Sequence, residues 1–301
     1  GNRWALQGIN LAKRLRRSFH SPVEQAANLA TLIETDLGVD VAIQPLGRLD
    51  GLAVTTGSAQ LILAATSVVP TRQRFTLAHE LGHLAASDDQ QLHTDENVYA
   101  RDGEGEMRAN AFATELLMPE AALADRIHRG SRWFEELTWE LRVSPTVLAH
   151  RLGNLKLIDE AERDRLLTVD MDHVVATLGR QQDYAARVAE ASQPRIPTLL
   201  LRDLLAAHRQ GHITLRPVAA LMGMSTNDLR AQRAKSEGEG SMAPVACPDT
   251  TRRLGADQRD EPACILMQMT DVMMHPCAPR SRWTKDCCVA PRNGQPPKGR
   301  L

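Results

Sequence analysis

The stretch Arg74-Phe75-Thr76-Leu77-Ala78-His79-Glu80-Leu81-Gly82-His83-Leu84 carries two histidines four residues apart with a glutamate between them. Residues at that spacing stand one above the other on a single helix face, so both imidazoles can close on one cation. Glu80 sits about 100° further round, near enough to a metal-bound water to accept its proton. Leu77, Leu81 and Leu84 recur at i, i+4 and i+7 and give the same helix an apolar stripe. Gly82 is the odd member. A glycine in a helix interior costs about 1 kcal/mol against alanine, so its presence predicts that another backbone passes close by. The bland alternative, two core-packed histidines on an ordinary helix, is disfavoured by the full pattern.

A catalytic zinc takes three protein ligands and keeps one position open. The third must come from elsewhere in the chain. Downstream lies Glu106-Met107-Arg108-Ala109-Asn110-Ala111-Phe112-Ala113-Thr114-Glu115-Leu116-Leu117-Met118-Pro119. On a helix, Glu106, Asn110 and Ala113 share one face, while Ala109, Phe112 and Leu116 form an apolar one. Glu106 can therefore point at the metal while its helix packs on the first.

Around these two helices the texture changes in steps. Residues 1–20 hold Arg3, Lys13, Arg14, Arg16 and Arg17 among apolar positions and read as a basic N-terminal segment, the end of an upstream module. Ser21-Pro22-Val23-Glu24 reads as a cap, an initiating proline and an early acid, opening a helix that Gly38 stops at about Leu37. Val41–Pro45, Leu52–Thr56 and Gln60–Ala65 are β-rich pieces separated by Gly47, Gly51, Gly57 and Ser58, the mark of a small meander or hairpin sheet. Gln60–Ala65 is either an ordinary sheet member or the edge on which an extended substrate adds as a strand. Asp88 to Glu106 is an acidic, glycine-containing loop, and Pro119 opens a further helix expected to reach His128. From Gly130 to about Lys235 every segment is helical in pattern, with Pro145, Pro197 and Pro217 near helix starts.

The expected architecture is α+β: a zincin-like domain over 21–130, in which a short sheet packs on helices including the active-site one, followed by an all-α region over 131–235. The whole chain has 301 residues, 43% hydrophobic and 24% charged, with a formal charge of -1, which excludes bulk disorder and any global case for nucleic-acid binding. No run approaches the roughly 18 apolar residues of a membrane span. All five cysteines (Cys247, Cys264, Cys277, Cys287, Cys288) stand in the last stretch, so the remainder is no disulfide scaffold and the cytoplasm is the expected compartment. Residues 236–301 lack periodicity and any Cys-x-x-C pair and are expected to form a disordered tail.

The segments Arg74 to His83, and Glu106 through Asn110-Ala111-Phe112-Ala113 to Leu116-Leu117-Met118-Pro119, closely resemble the ImmA/IrrE family of metallopeptidases over about residues 22–155. The resemblance implies that His79, His83 and Glu106 bind zinc and that Glu80 is the general base. Glu104 and Glu115 are the rivals for the third ligand; Glu115 lies about 180° round the helix from Glu106, so both cannot face one metal. Zinc lowers the pKa of its water toward about 7, Glu80 takes the proton, and the hydroxide attacks the scissile carbonyl. Tyr99, His93 and His128 are candidates for the oxyanion or substrate contact. Mn2+ and Fe2+ suit the same ligands.

The resemblance also implies a partner, since family members cut a DNA-binding repressor and so switch on stress-response or mobile-element genes. The expected substrate is a helix-turn-helix repressor, which the acidic loop would suit electrostatically. Leu215 to Arg233 itself has helix-turn-helix spacing, with Ala219, Gly223 and Leu229 at the sharp turn, Ser225 as N-cap and Arg230 and Arg233 as candidate DNA contacts. Trp139 to Leu152 is a weaker echo. The competing reading is a DNA-binding regulator whose metal site is structural or idle.

Overall fold

The basic N-terminal run folds as helix α1 (Asn2–Leu15), whose Leu11, Ala12 and Leu15 enter the hydrophobic core. The computed structural model describes residues 2–57, 59–87 and 103–239. These fall into two compact units, residues 2–198 and 199–239. His93, Tyr99, nearly all of the acidic loop, the cysteines and nearly all of the tail lie outside the described residues.

After α1 the chain does not enter a helix at Ser21-Pro22. A single 3-10 turn over Val23–Gln25 is followed by extended Ala26, and helix α2 (Leu29–Leu37) begins only at Asn28, whose side chain accepts from Thr31 N. The reason is tertiary. Arg74 donates to the carbonyls of Val23 and Ala26, each at 2.8 Å, and Arg142 to that of Ala27 at 2.9 Å. Carbonyls held by guanidinium groups are diverted from the i to i+4 ladder that would continue a helix. Gly38, left-handed at φ 70°, closes α2 as expected.

Strands β1 (Asp40–Gln44), β2 (Gly51–Thr56) and β3 (Ala59–Ala65) form one sheet in the order β1-β3-β2. Strand β3 runs antiparallel to β2 and parallel to β1, with Ala42 opposite Leu63. The sheet is thus mixed, not a simple meander, and Gln60–Ala65 is its centre, not its edge. Exposed Thr55 and Thr56 suit β2 to an outer place, whereas Ile62 and Ala64 are fully buried. On the far side of β1, Ile43 exchanges two backbone hydrogen bonds with Arg195, at 2.9 and 2.8 Å.

Helix α3 (Pro70–Ala86) starts on its proline and stops at left-handed Ser87. Helix α4 (Glu104–Leu117) follows Gly103. A methyl on Gly82 would lie 3.0 Å from Phe112 Cδ1 and 3.2 Å from Ala109 Cα, so the glycine does mark the close passage of α3 against α4. A methyl on Gly8 would lie 2.2 Å from the Arg108 carbonyl oxygen, so α1 too passes close against α4. The helix after Pro119 is shorter than its pattern: α5 covers only Glu120–Ala124, and His128 is left-handed at φ 59°. Leu123 is its one fully buried residue, and beyond it the next turn offers little apolar surface to hold a helix down.

Helices α6 (Trp133–Leu141), α7 (Pro145–Asn154), α8 (Glu160–Leu166), α9 (Met171–Leu178) and α10 (Gln181–Ala191) complete the first unit. Leu141, Val143, Leu148 and Leu152 are core residues, so the turn between α6 and α7 is a packing element. This unit is a zincin-like α+β domain with further helices attached. The second unit is all helical: α11 (Thr198–Arg209) leads into α12 (Arg216–Leu221), a turn at left-handed Gly223, and α13 (Thr226–Glu239). Ser225 Oγ accepts from Asp228 N at 3.1 Å, and Val218, Ala219 and Leu229 are buried. No helix among the described residues is long and apolar enough to cross a membrane.

Candidate metal centre

His79 and His83 rise one turn apart on α3 with ring centroids 4.8 Å apart and planes at 72°. Their Nε2 atoms face each other at 3.1 Å. Glu106, in the first turn of α4, closes the group: its Oε2 lies 3.2 Å from His79 Nε2 and its Oε1 3.3 Å from His83 Nε2. His83 is buried, while His79 and Glu106 are half-buried. Among the described residues this is the group of three histidine or acidic side chains placed to hold a metal ion.

The donor set fits a divalent cation. Ligand bonds of about 2.0 Å in a tetrahedron leave neighbouring donor atoms about 3.3 Å apart, close to the separations here. Two imidazole nitrogens and a carboxylate aimed at one point also need a cation or a proton between them, because three lone pairs repel. The same crowding acts on Glu106. Hydrogen bonds from His79 first and His83 second hold its carboxyl well below the usual carboxylate range and outweigh the burial that pushes it up. On its outer side His79 Nδ1 meets Asn110 Oδ1 at 3.0 Å.

Glu80 is buried, on the sheet side of α3. A methyl on Gly51, the first residue of β2, would stand 3.0 Å from Glu80 Cγ and 3.1 Å from its Oε1. The lack of a side chain at Gly51 therefore makes room for the carboxylate against the strand. Gly51 does not stand out in the sequence as part of a site. For Asn110 the i+4 spacing from Glu106 was the available signal, and it places Asn110 on the correct face without saying what it meets.

The other candidates go elsewhere. Glu104 is the exposed first residue of α4. Glu115 is buried on the far side of α4, paired with Arg151 and 4.0 Å from Lys13 Nζ. His128 lies 3.7 Å from Glu162 and edge-on to Trp133 at 5.1 Å. Arg230 is exposed on α13, donating to Asn227 Oδ1 at 3.3 Å, and Arg233 is half-buried on the same helix.

A helix bearing two histidines and a buried glutamate, set beside a small mixed sheet and completed by a carboxylate from the next long helix, is the arrangement of a zincin-like domain. Residues 34–153 match the peptidase M78 family model, described as the IrrE N-terminal-like domain. The radiation response metalloprotease IrrE of Deinococcus radiodurans is 38% identical over 97 residues, covering 31% of this chain and 29% of that protein. The protein of the same name from Deinococcus deserti is 32% identical over 153 residues, covering 48% of this chain and 50% of that protein. The chain thus spans half or less of the length of these relatives. The matched region, with α3 and α4 at its centre, is thus similar to the IrrE N-terminal-like domain of that family.

Proposed function

We propose that the chain is a zinc-dependent endopeptidase of narrow specificity, with His79, His83 and Glu106 as ligands and Glu80 as general base. One observation carries the reading: the three ligand atoms converge within 4.8 Å of one another, with Glu80 buried on the same helix between the two histidines. Zinc bound there supplies Lewis acidity toward a scissile carbonyl and toward water. Glu80 takes a proton from the attacking water at its carboxylate and later delivers it to the departing amine nitrogen. Burial among the sheet residues keeps competing solvent from that carboxylate. Mn2+ and Fe2+ suit the same donors and belong in the assay beside zinc.

The substrate in this reading is a helix-turn-helix repressor whose loss switches on stress-response or mobile-element genes. The name of the two relatives, radiation response metalloprotease, supports a stress-response setting. The test is cleavage of a purified repressor by the metal-loaded chain and by Glu80→Gln. The variant is expected to keep its metal and lose at least about a hundredfold in rate, the contribution of a positioned base. Equal cleavage by both overturns the mechanism.

A second reading draws on α12, the Gly223 turn and α13: a DNA-binding regulator with an idle metal site. Buried Glu80 weighs against it, because a structural site has no use for a base. A promoter fragment shifted by the chain, with no peptide released from any repressor, would favour it.

A further inference from the structure

We infer that Asn110 is a positioning residue for the metal centre, its side-chain oxygen holding His79 in the tautomer and ring orientation that present Nε2 to the cation. The inference rests on the metallopeptidase reading of the same site. A neutral imidazole carries one N–H, and either nitrogen can ligate. In His79 the nitrogen aimed at the trio is Nε2, 3.1 Å from His83 Nε2 and 3.2 Å from Glu106 Oε2. In the metal-free protein this nitrogen faces the Glu106 carboxylate as a donor; to offer a lone pair to a cation it gives up that proton, and the one N–H of the neutral ring then sits on Nδ1. Nδ1 then donates to an acceptor at 3.0 Å, which identifies the Asn110 atom as the amide oxygen. Such outer partners fix ring orientation and raise ligand basicity.

The placement follows from α4. Asn110 stands one turn after Glu106 on the same face, so a single helix supplies both the third ligand and the acceptor behind the first. The close approach of α3 and α4 at Gly82 keeps both within reach. Asn110 is exposed, so removing its amide leaves no cavity and no buried unpaired group in the fold. Exposure also means that water replaces part of the lost bond. The effect belongs at the low end of the 10- to 100-fold range for outer partners of metal ligands, about tenfold in affinity.

The experiment measures zinc affinity of the full chain by competition with a chromophoric chelator, for wild type, Asn110→Ala and Asn110→Asp, with the thermal midpoint of each metal-free protein alongside. The alanine variant is expected to bind zinc about tenfold more weakly at an unchanged metal-free midpoint. The aspartate variant, which keeps an acceptor oxygen, is expected to recover wild-type affinity or exceed it. Wild-type affinity in Asn110→Ala overturns the inference, as does equal weakening in both variants or a fall in the metal-free midpoint that accounts for the loss. Failure of the wild type itself to bind zinc would instead overturn the metallopeptidase reading.

Discussion

Glu106 and Glu115 stand nine residues apart on one helix and meet opposite fates, because nine steps of about 100° place them on opposite faces. Glu106 faces two imidazoles. Glu115 faces Arg151, whose Nε also donates to the Met118 carbonyl at 3.1 Å, so a charge that would be costly alone in the core is paired and hydrogen-bonded. Asp36 shows the same logic nearer the surface. Burial pushes its carboxyl up, but bonds from the His20 N–H at 2.8 Å, the Thr35 hydroxyl and the His20 ring bring it below its usual 3.8. A depressed native pKa means that the unfolded chain binds more protons in that range, so the contribution is complete above the unfolded value and lost as pH falls through the native one. Asp36→Asn should therefore lose more stability at about pH 6 than at about pH 3, which lies below the unfolded value, where part of the contribution is already lost. Urea unfolding at the two pH values checks this, and equal losses would show that the group is not linked to folding.

At the scale of elements, glycine decides how closely helices approach. Alanine is intrinsically better than glycine in a helix by about 1 kcal/mol, so Gly8→Ala and Gly82→Ala would stabilise isolated helices. Here a methyl on Gly8 would strike a carbonyl oxygen of α4 at 2.2 Å, while one on Gly82 would press on Phe112 and Ala109 at 3.0 to 3.2 Å. The first contact cannot be relieved without moving a helix, the second by small shifts. Overpacking costs about 1–3 kcal/mol, so Gly8→Ala should be the more destabilised of the two in urea unfolding. Wild-type stability in Gly8→Ala would refute the close packing of α1 on α4. These glycines also show what periodicity can convey. The approach at Gly82 was legible because a glycine in a strongly patterned helix needs a reason, whereas the late start of α2 was not, since the arginines that take its carbonyls come from Arg74 and Arg142.

At the scale of the molecule, all three candidate ligand residues and Glu80 lie within residues 2–198. The closing segment of that unit is held by buried Glu34, which accepts from Val41 N at 3.2 Å and Thr198 N at 2.9 Å and pairs with Arg195. A chain cut after Thr198 keeps these bonds and should bind zinc with wild-type stoichiometry and unfold cooperatively. A chain cut after Ala191 leaves Glu34 without its arginine and β1 without its bridge to Arg195, a loss of about 3–5 kcal/mol for a broken buried pair. Calorimetry and zinc titration of the two truncations test this, and equal stability would show that residues 192–198 are not part of the fold.

Sequence by itself determined that His79, Glu80 and His83 share a helix, that Glu106 and Glu115 take opposite faces of the next long helix so that only one of them can turn to the histidines, and that Gly82 marks a close contact. Each is a statement about spacing along one chain segment, and helix geometry converts spacing into direction without outside help. Tertiary structure alone decided that β3 is the central strand, that α2 begins at Leu29, that Glu34 seals the end of the first unit and that Asn110 stands behind His79. Those outcomes depend on which groups meet across long separations, where burial and hydrogen-bond satisfaction of distant partners choose among arrangements that local spacing leaves equal.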